Sequence, residues 1–300
     1  MPTKQELNTL DFWADYQPGF RSTQSPIGSK EFFEEVSTQR SLLEPHIPEV
    51  VGFEQWKDRA VLEAGCGIGT DGARFAAAGA HYTGVDFSPT ALRLARLRFE
   101  IEGHRGRFTA GSVTHLPFPD RSFDLVFSHG VIHHVPDTTA AVREFYRVLK
   151  PGGRVLVMVY HRRSFNYYFS ILLLRRVLIG LLLVPGAPRF LSRVTGEPPD
   201  LFRGHRELLS EHGARYLGDS QLFLSHNTDG PGNPLSKVFS RREITNLFSI
   251  GFDDLHTEVR YLNVRLYPGG TRLARTSVGR RLERRIGWHL YITGSRPRVG

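Results

Sequence analysis

The sequence predicts an α/β fold: a doubly wound, mostly parallel sheet with a cap inserted after its fifth strand. Three observations carry that expectation. Short β-type runs alternate with helical stretches from residue 58 to 160, a spacing that implies right-handed crossovers between parallel strands. A glycine-rich turn, within "VLEAGCGIGTDGARFAAAG" (61–79), joins the first strand to the first helix. The alternation then stops at residue 161 and resumes at 237.

Each element has its own signal. "RAVLEAG" reads as a strand and "GTDGARFAAAG" as a helix; "HYTGVDF" is the second strand. In "SPTALRLARLRFEIEG" Ser88 is placed to cap a helix, Pro89 takes its first position, and Gly103 closes it. "GRFTAGS" and "SFDLVFSHG" are the third and fourth strands, "TTAAVREFYRVLKPGG" a helix closed by Pro-Gly-Gly, and "RVLVMVY" the fifth strand. After the break, "SRREITNLFSIGF" offers Ser240 and Glu243 as a capping box. "DDLHTEVRYL" and "GWHLYITGS" supply two late strands. The division expected is an N-terminal helical segment or lid (1–57), a Rossmann-like core (58–160), an inserted cap (161–236) and a completion of the sheet (237–300).

Composition bounds the function. The chain has 300 residues, 40% hydrophobic and 23% charged, ordinary globular values. Its single cysteine, Cys66, excludes a disulfide framework and a cysteine-built zinc site. The first thirty residues carry Lys4, Glu6, Asp11 and Asp15 without an apolar core, so the expectation is a cytoplasmic protein without a secretory signal. "ILLLRRVLIGLLLV" (171–184) holds two arginines and falls short of the ~20 apolar residues of a bilayer span. The net charge is +9, with ten arginines against Glu283 alone from Arg260 to Gly300. Such an excess suits nucleic acid, an anionic membrane surface or a solvated face. Aromatic residues do not interleave with it, which argues against nucleic acid.

A glycine turn of this kind places backbone N–H groups and a helix N-terminus against an anionic or strongly polar ligand. Alone it is also an ordinary tight turn. Thr70 stands where the dinucleotide fingerprint G-x-G-x-x-G needs glycine, which weakens a nicotinamide dehydrogenase. Asp86 ends the second strand, twenty-one residues past Gly65; a carboxylate there can accept both hydroxyls of a ribose.

With these residues in place the chain resembles the class I S-adenosylmethionine-dependent methyltransferases, of the subgroup acting on quinones, sterols and natural products. "VLEAGCGIGT", "GVDFSPTALRLAR", "GSVTHLPFPDRSFDLVFSHGVIHHVPD" and "REFYRVLKPGGRVLV" carry the resemblance in order, and "FSRREITNLFSIGF" matches a late helix; about half the chain is covered. The resemblance implies S-adenosylmethionine as cofactor. Gly65, Cys66 and Gly67 would line its methionine end, with Glu63 toward the ammonium group. Asp86 would hold the ribose and Phe87 the adenine face. Gly111, Ser112 and Val113 would border the adenine, with Ser112 in place of the acid usual there. Ser128 and His129 would contact the methionine portion.

The cofactor's methyl group is already activated, so alignment is the first task and orientation alone supplies on the order of 7–11 kcal/mol at best. A base is needed only where the acceptor must lose a proton. His133 and His134 in "HGVIHHVPD", and Tyr160 and His161 at the end of the fifth strand, are the candidates; packing the loop is the alternative role for the histidines. No metal site is expected, because adjacent histidines project differently and no carboxylate completes a set.

The cap carries Phe165, Tyr167 and Tyr168 before a leucine-rich run. It reads as core, as the wall of an apolar pocket, or as a peripheral membrane contact. All three suit a small hydrophobic acceptor. His226, Asn227 and Asp229 return toward the site before the late helix, and Trp13 and Tyr16 are candidates for a lid. Two rival functions stand beside methylation of a small molecule: a nucleic-acid methyltransferase, and a non-methylating relative that binds the cofactor and guides a cyclisation. The sequence leaves a homo-oligomer open.

Overall fold

The computed structural model describes residues 8–9, 11–13, 23–184, 186–195, 199–264, 267 and 269–298. Seven strands form one sheet in the order β3-β2-β1-β4-β5-β7-β6. They are β1 (Ala60–Ala64), β2 (His81–Asp86), β3 (Arg107–Ala110), β4 (Phe123–His129), β5 (Leu149–Tyr160), β6 (Asp253–Arg260) and β7 (His289–Ser295). The first five are mutually parallel, and β7 runs antiparallel to both β5 and β6. The strand order reverses between β1 and β4. In such sheets that is where a crevice opens beyond the strand ends, and the glycine turn after β1 lies there.

Alternation along each strand sends side chains to two cores. On one face Leu62, Val126, Val155 and Val157 meet α5 (Thr138–Val148) and α11 (Arg241–Phe248) through Val142, Phe145, Ile244 and Phe248. On the other, Val61, Leu125, Phe127 and Leu156 meet α2 (Ile47–Val51) and α3 (Thr70–Ala77) through Ile47, Val51 and Phe75. Farther along that face, α1 (Lys30–Leu43) packs Phe32 and Phe33 near Leu94 of α4 (Pro89–Ile101). The caps expected at Ser88 and Ser240 are formed, the latter as a complete capping box with Glu243. Helix α5 stops at Val148, before "LKPGG", and those residues extend β5 instead. The residue before a proline disfavours helical backbone, and Gly152 has φ +77°.

The described residues between 166 and 228 form a helical cap with a core of its own, which includes Ile171, Ile179, Leu182, Tyr216 and Phe223 and takes in Trp288. It holds α6 (Asn166–Leu183), α7 (Ala187–Thr195), α8 (Pro199–His212), α9 (Ala214–Gly218) and α10 (Ser220–Thr228). Helix α6 changes pitch along its length, from π to α to 3₁₀. It starts five residues before the leucine-rich run. Its 18 residues are long and apolar enough to cross a membrane by length and composition, and 22% of the stretch is buried inside the protein. The two arginines within it are turned into the cap. Arg175 donates to the Asn227 carbonyl, and Arg176 donates to Ser220 Oγ at 2.8 Å with its guanidinium 5.1 Å from the Phe223 ring. Each would cost about 2.5–3.5 kcal/mol at a bilayer centre, which opposes a spanning position.

Candidate active site

The glycine turn is fastened from behind. Gly65 and Cys66 both donate to the Val85 carbonyl, at 2.8 and 3.0 Å, and Gly69 donates to the Cys66 carbonyl. Gly65, Gly67 and Gly69 all have positive φ. A side chain on Gly65 would collide with Val131, whereas one on Gly67 would project into open space. The turn therefore meets protein on one side and leaves room on the other. The Cys66 thiol packs toward Gly84 and burial pushes it well up. Its N–H, carbonyl and thiol are all occupied within the protein, so its part is in the frame of the turn.

Two buried carboxylates flank the turn. Asp86 accepts from Gly67 N–H at 2.8 Å and Ser88 N–H at 2.9 Å, one on each oxygen. Each oxygen keeps a lone pair for a hydroxyl. Glu63 accepts from Tyr82 Oη at 2.5 Å, and burial, with the Asp71 carboxylate nearby, pushes it up to about 8. A ligand ammonium group is the kind of partner that would hold it ionised. Phe87 is half-buried beside Asp86. Gly111 packs against Pro117, Ser112 Oγ pairs with Thr114 Oγ1 at 2.8 Å, and Val113 is buried.

Ser128 and His129 part company. Ser128 is fully buried and donates to the Ala64 carbonyl at 2.8 Å, tying β4 to β1; its hydroxyl proton is used within the sheet. His129 lies on the opposite face, its Nε2 3.3 Å from Glu44. Glu44 sits 2.8 Å from Arg40, and Arg40 2.6 Å from Asp71. This chain of charges joins the end of α1 to the start of α3, and sequence spacing gave no hint of it. Glu44, His129 and His289 carry ligand atoms within 4.8 Å of one another, a grouping that could hold a metal ion. The guanidinium of Arg40 already faces the same Glu44 oxygen, and its positive charge favours an ion-pair network there.

The histidine loop supplies the polar groups of the candidate acceptor site. Val131, packed on Gly65, brings His133 and His134 to the mouth of the turn. His133 is fully buried, its ring 4.2 Å from that of His134 and 3.8 Å from that of Tyr160. Burial and neighbouring His134 hold it well below the usual imidazole range, so it packs as a neutral ring. His134 contacts the Leu235 carbonyl through Nδ1 at 2.8 Å, and its Nε2 is 3.5 Å from Asp229 Oδ2. Burial lowers its pKa too, opposed by Asp229. Tyr160 donates to Asp229 Oδ1 at 3.1 Å and stacks on Trp288 at 4.3 Å.

Several expected positions fall elsewhere. His161 does not share a cleft with Tyr160: successive strand residues point to opposite faces, and its Nδ1 is held 3.0 Å from the Gly287 carbonyl. Phe165, half-buried, stacks on the exposed Phe169 and meets Tyr267 edge-on. Tyr167 and Tyr168 line a cleft of about 790 Å³ with Arg162, Lys237 and Glu243, and none of its lining residues belongs to the glycine turn. His226 turns back onto the Pro231 carbonyl at 2.5 Å and Asn227 onto Tyr216; only Asp229 of that trio reaches the histidine loop. The Trp13 ring lies 4.8 Å from His134. Tyr16 lies outside the described residues.

Comparison with known proteins identifies the family. A family described as "Methyltransferase domain" matches residues 62–157. A ubiquinone biosynthesis O-methyltransferase of Aromatoleum aromaticum is 31% identical over 183 residues, 61% of this chain and 71% of that protein. A demethylmenaquinone methyltransferase of Tropheryma whipplei is 36% identical over 140 residues, 46% of this chain and 54% of that protein. The chain thus spans about half the length of the latter relative. A SAM-dependent methyltransferase of Methanosarcina mazei, 18% identical, superposes with a TM-score of 0.53 over 84% of this chain and 98% of that one, a likeness of fold alone. The chain belongs to the class I S-adenosylmethionine-dependent methyltransferases.

Proposed function

We propose that the protein methylates a small hydrophobic acceptor bearing an ionisable hydroxyl, of the phenol or quinol class. The observation that carries this reading is the His134–Asp229 pair, held between the glycine turn and the cap. The two relatives named above act, by their names, on ubiquinone and menaquinone intermediates, which supports an acceptor of that chemistry. The open side of Gly67, with Asp86 and Glu63 beside it, fits S-adenosylmethionine. When bound, that group supplies a methyl made electrophilic by its sulfonium.

The remaining work falls to side chains. Donation of Nδ1–H to the Leu235 carbonyl leaves Nε2 of His134 as the basic nitrogen. Its depressed pKa keeps it unprotonated at neutral pH. An acceptor hydroxyl that gives its proton to Nε2 becomes the stronger nucleophile, and Asp229 stabilises the imidazolium that results. Tyr160 fixes the Asp229 carboxylate, and Trp13 lies against the imidazole where a lid would shut out water.

The test is release of S-adenosylhomocysteine from a panel of alkylated and prenylated phenols and catechols, with methylated product identified by mass. His134→Gln should lower turnover about 100-fold while leaving affinity for S-adenosylmethionine unchanged. If cofactor binds yet no member of the panel is methylated, the acceptor class is wrong.

A further inference from the structure

Nine of the sixteen large apolar side chains exposed among the described residues fall between positions 168 and 190. On α6 they recur every fourth residue, at Phe169, Leu173, Val177 and Leu181, and α7 adds Phe190, 64% exposed. The opposite side of α6 is the one that builds the cap core, through Ile171, Ile179 and Leu182. Polar groups would ordinarily occupy the outer face of such a helix. Here Arg175 and Arg176, the charges of α6, point inward onto Asn227, Ser220 and Phe223. The outward row is left without a charge.

The surroundings are cationic. No aspartate or glutamate occurs between Glu144 and Glu197, while Arg162, Arg163, Arg189 and Arg193 flank the apolar row. Arg162 is used in an ion pair with Glu243. Arg163, ahead of α6, and Arg189 and Arg193 on α7 are exposed. Helix α8, next in the chain, carries two arginines against three acids, so the asymmetry belongs to the α6–α7 segment. An apolar helical face framed by arginines matches a surface that is anionic above and hydrocarbon below.

We propose that the outer face of α6, with Phe190 and the arginines of α7, docks the protein on an anionic lipid bilayer, lying in the interface. The assignment does not depend on which acceptor is methylated. The probe is co-sedimentation of the full chain with phosphatidylcholine vesicles and with vesicles containing 30% phosphatidylglycerol.

The expected result is binding to the anionic vesicles at least tenfold tighter than to the neutral ones, weakened by salt. Leu173→Ser, Val177→Ser and Leu181→Ser combined should reduce that binding at least tenfold; R189E with R193E should abolish the preference for anionic lipid. Thermal unfolding and S-adenosylmethionine titration of each variant check that the fold is kept. Equal binding by the triple variant, or none by the wild type at any composition, overturns the proposal. So does resistance of the bound protein to alkaline carbonate, which marks a spanning helix, or a self-associated wild type made monomeric by the triple variant without vesicle binding.

Discussion

Gly65 and Gly67 show one residue type meeting two demands. At Gly65 the chain needs positive φ and room for Val131, so Gly65→Ala should destabilise the fold by about 2–4 kcal/mol, seen in the urea midpoint. At Gly67 the space is open. Gly67→Ala should therefore cost only about 1–2 kcal/mol for its left-handed backbone, yet weaken S-adenosylmethionine tenfold or more in a calorimetric titration. Glu63 links a residue to pH. Its folded pKa, about 8, lies above the ordinary 4.5, so the native state holds the proton more tightly than the unfolded chain between those values. Its contribution to stability is fully present below about 4.5 and is lost as pH rises toward 8. Denaturation of the ligand-free protein at pH 5 and pH 8 should show a smaller loss in Glu63→Gln than in the wild type.

Helices here take their ends from local chemistry and their faces from neighbours. Ser240 and Glu243 satisfy each other's backbone donors in a capping box. Ser240→Ala should lower stability by about 1 kcal/mol, measured by thermal unfolding. Such ends are written in a few adjacent residues, which is why Ser88, Pro89 and Ser240 were legible. Helix α6 is the opposite case. Its leucines look the same on every side in the sequence, and only packing against Phe223 and Ser220 decides that its arginines turn inward.

At the scale of the molecule, the Glu44–Arg40–Asp71 chain fastens the N-terminal helix to the start of α3. Arg40→Met removes the cation from two carboxylates, one of them 4% exposed, and should destabilise the protein by on the order of 3 kcal/mol. A urea titration checks the loss, and an unchanged midpoint would leave the network without a structural role. By itself, the sequence determined the parallel core, the glycine turn, the place of Asp86 at the end of β2, the helix caps and the family, because each rests on periodicity or on residues close together in the chain. The tertiary structure alone decided that Ser128 belongs to the sheet and His161 to the opposite face. It also decided that Asp229, some ninety-five residues after His134, meets it. Those are contacts between elements distant in sequence, and they are set by strand alternation, crossover packing and the way the cap folds back, none of which leaves a mark in local spacing.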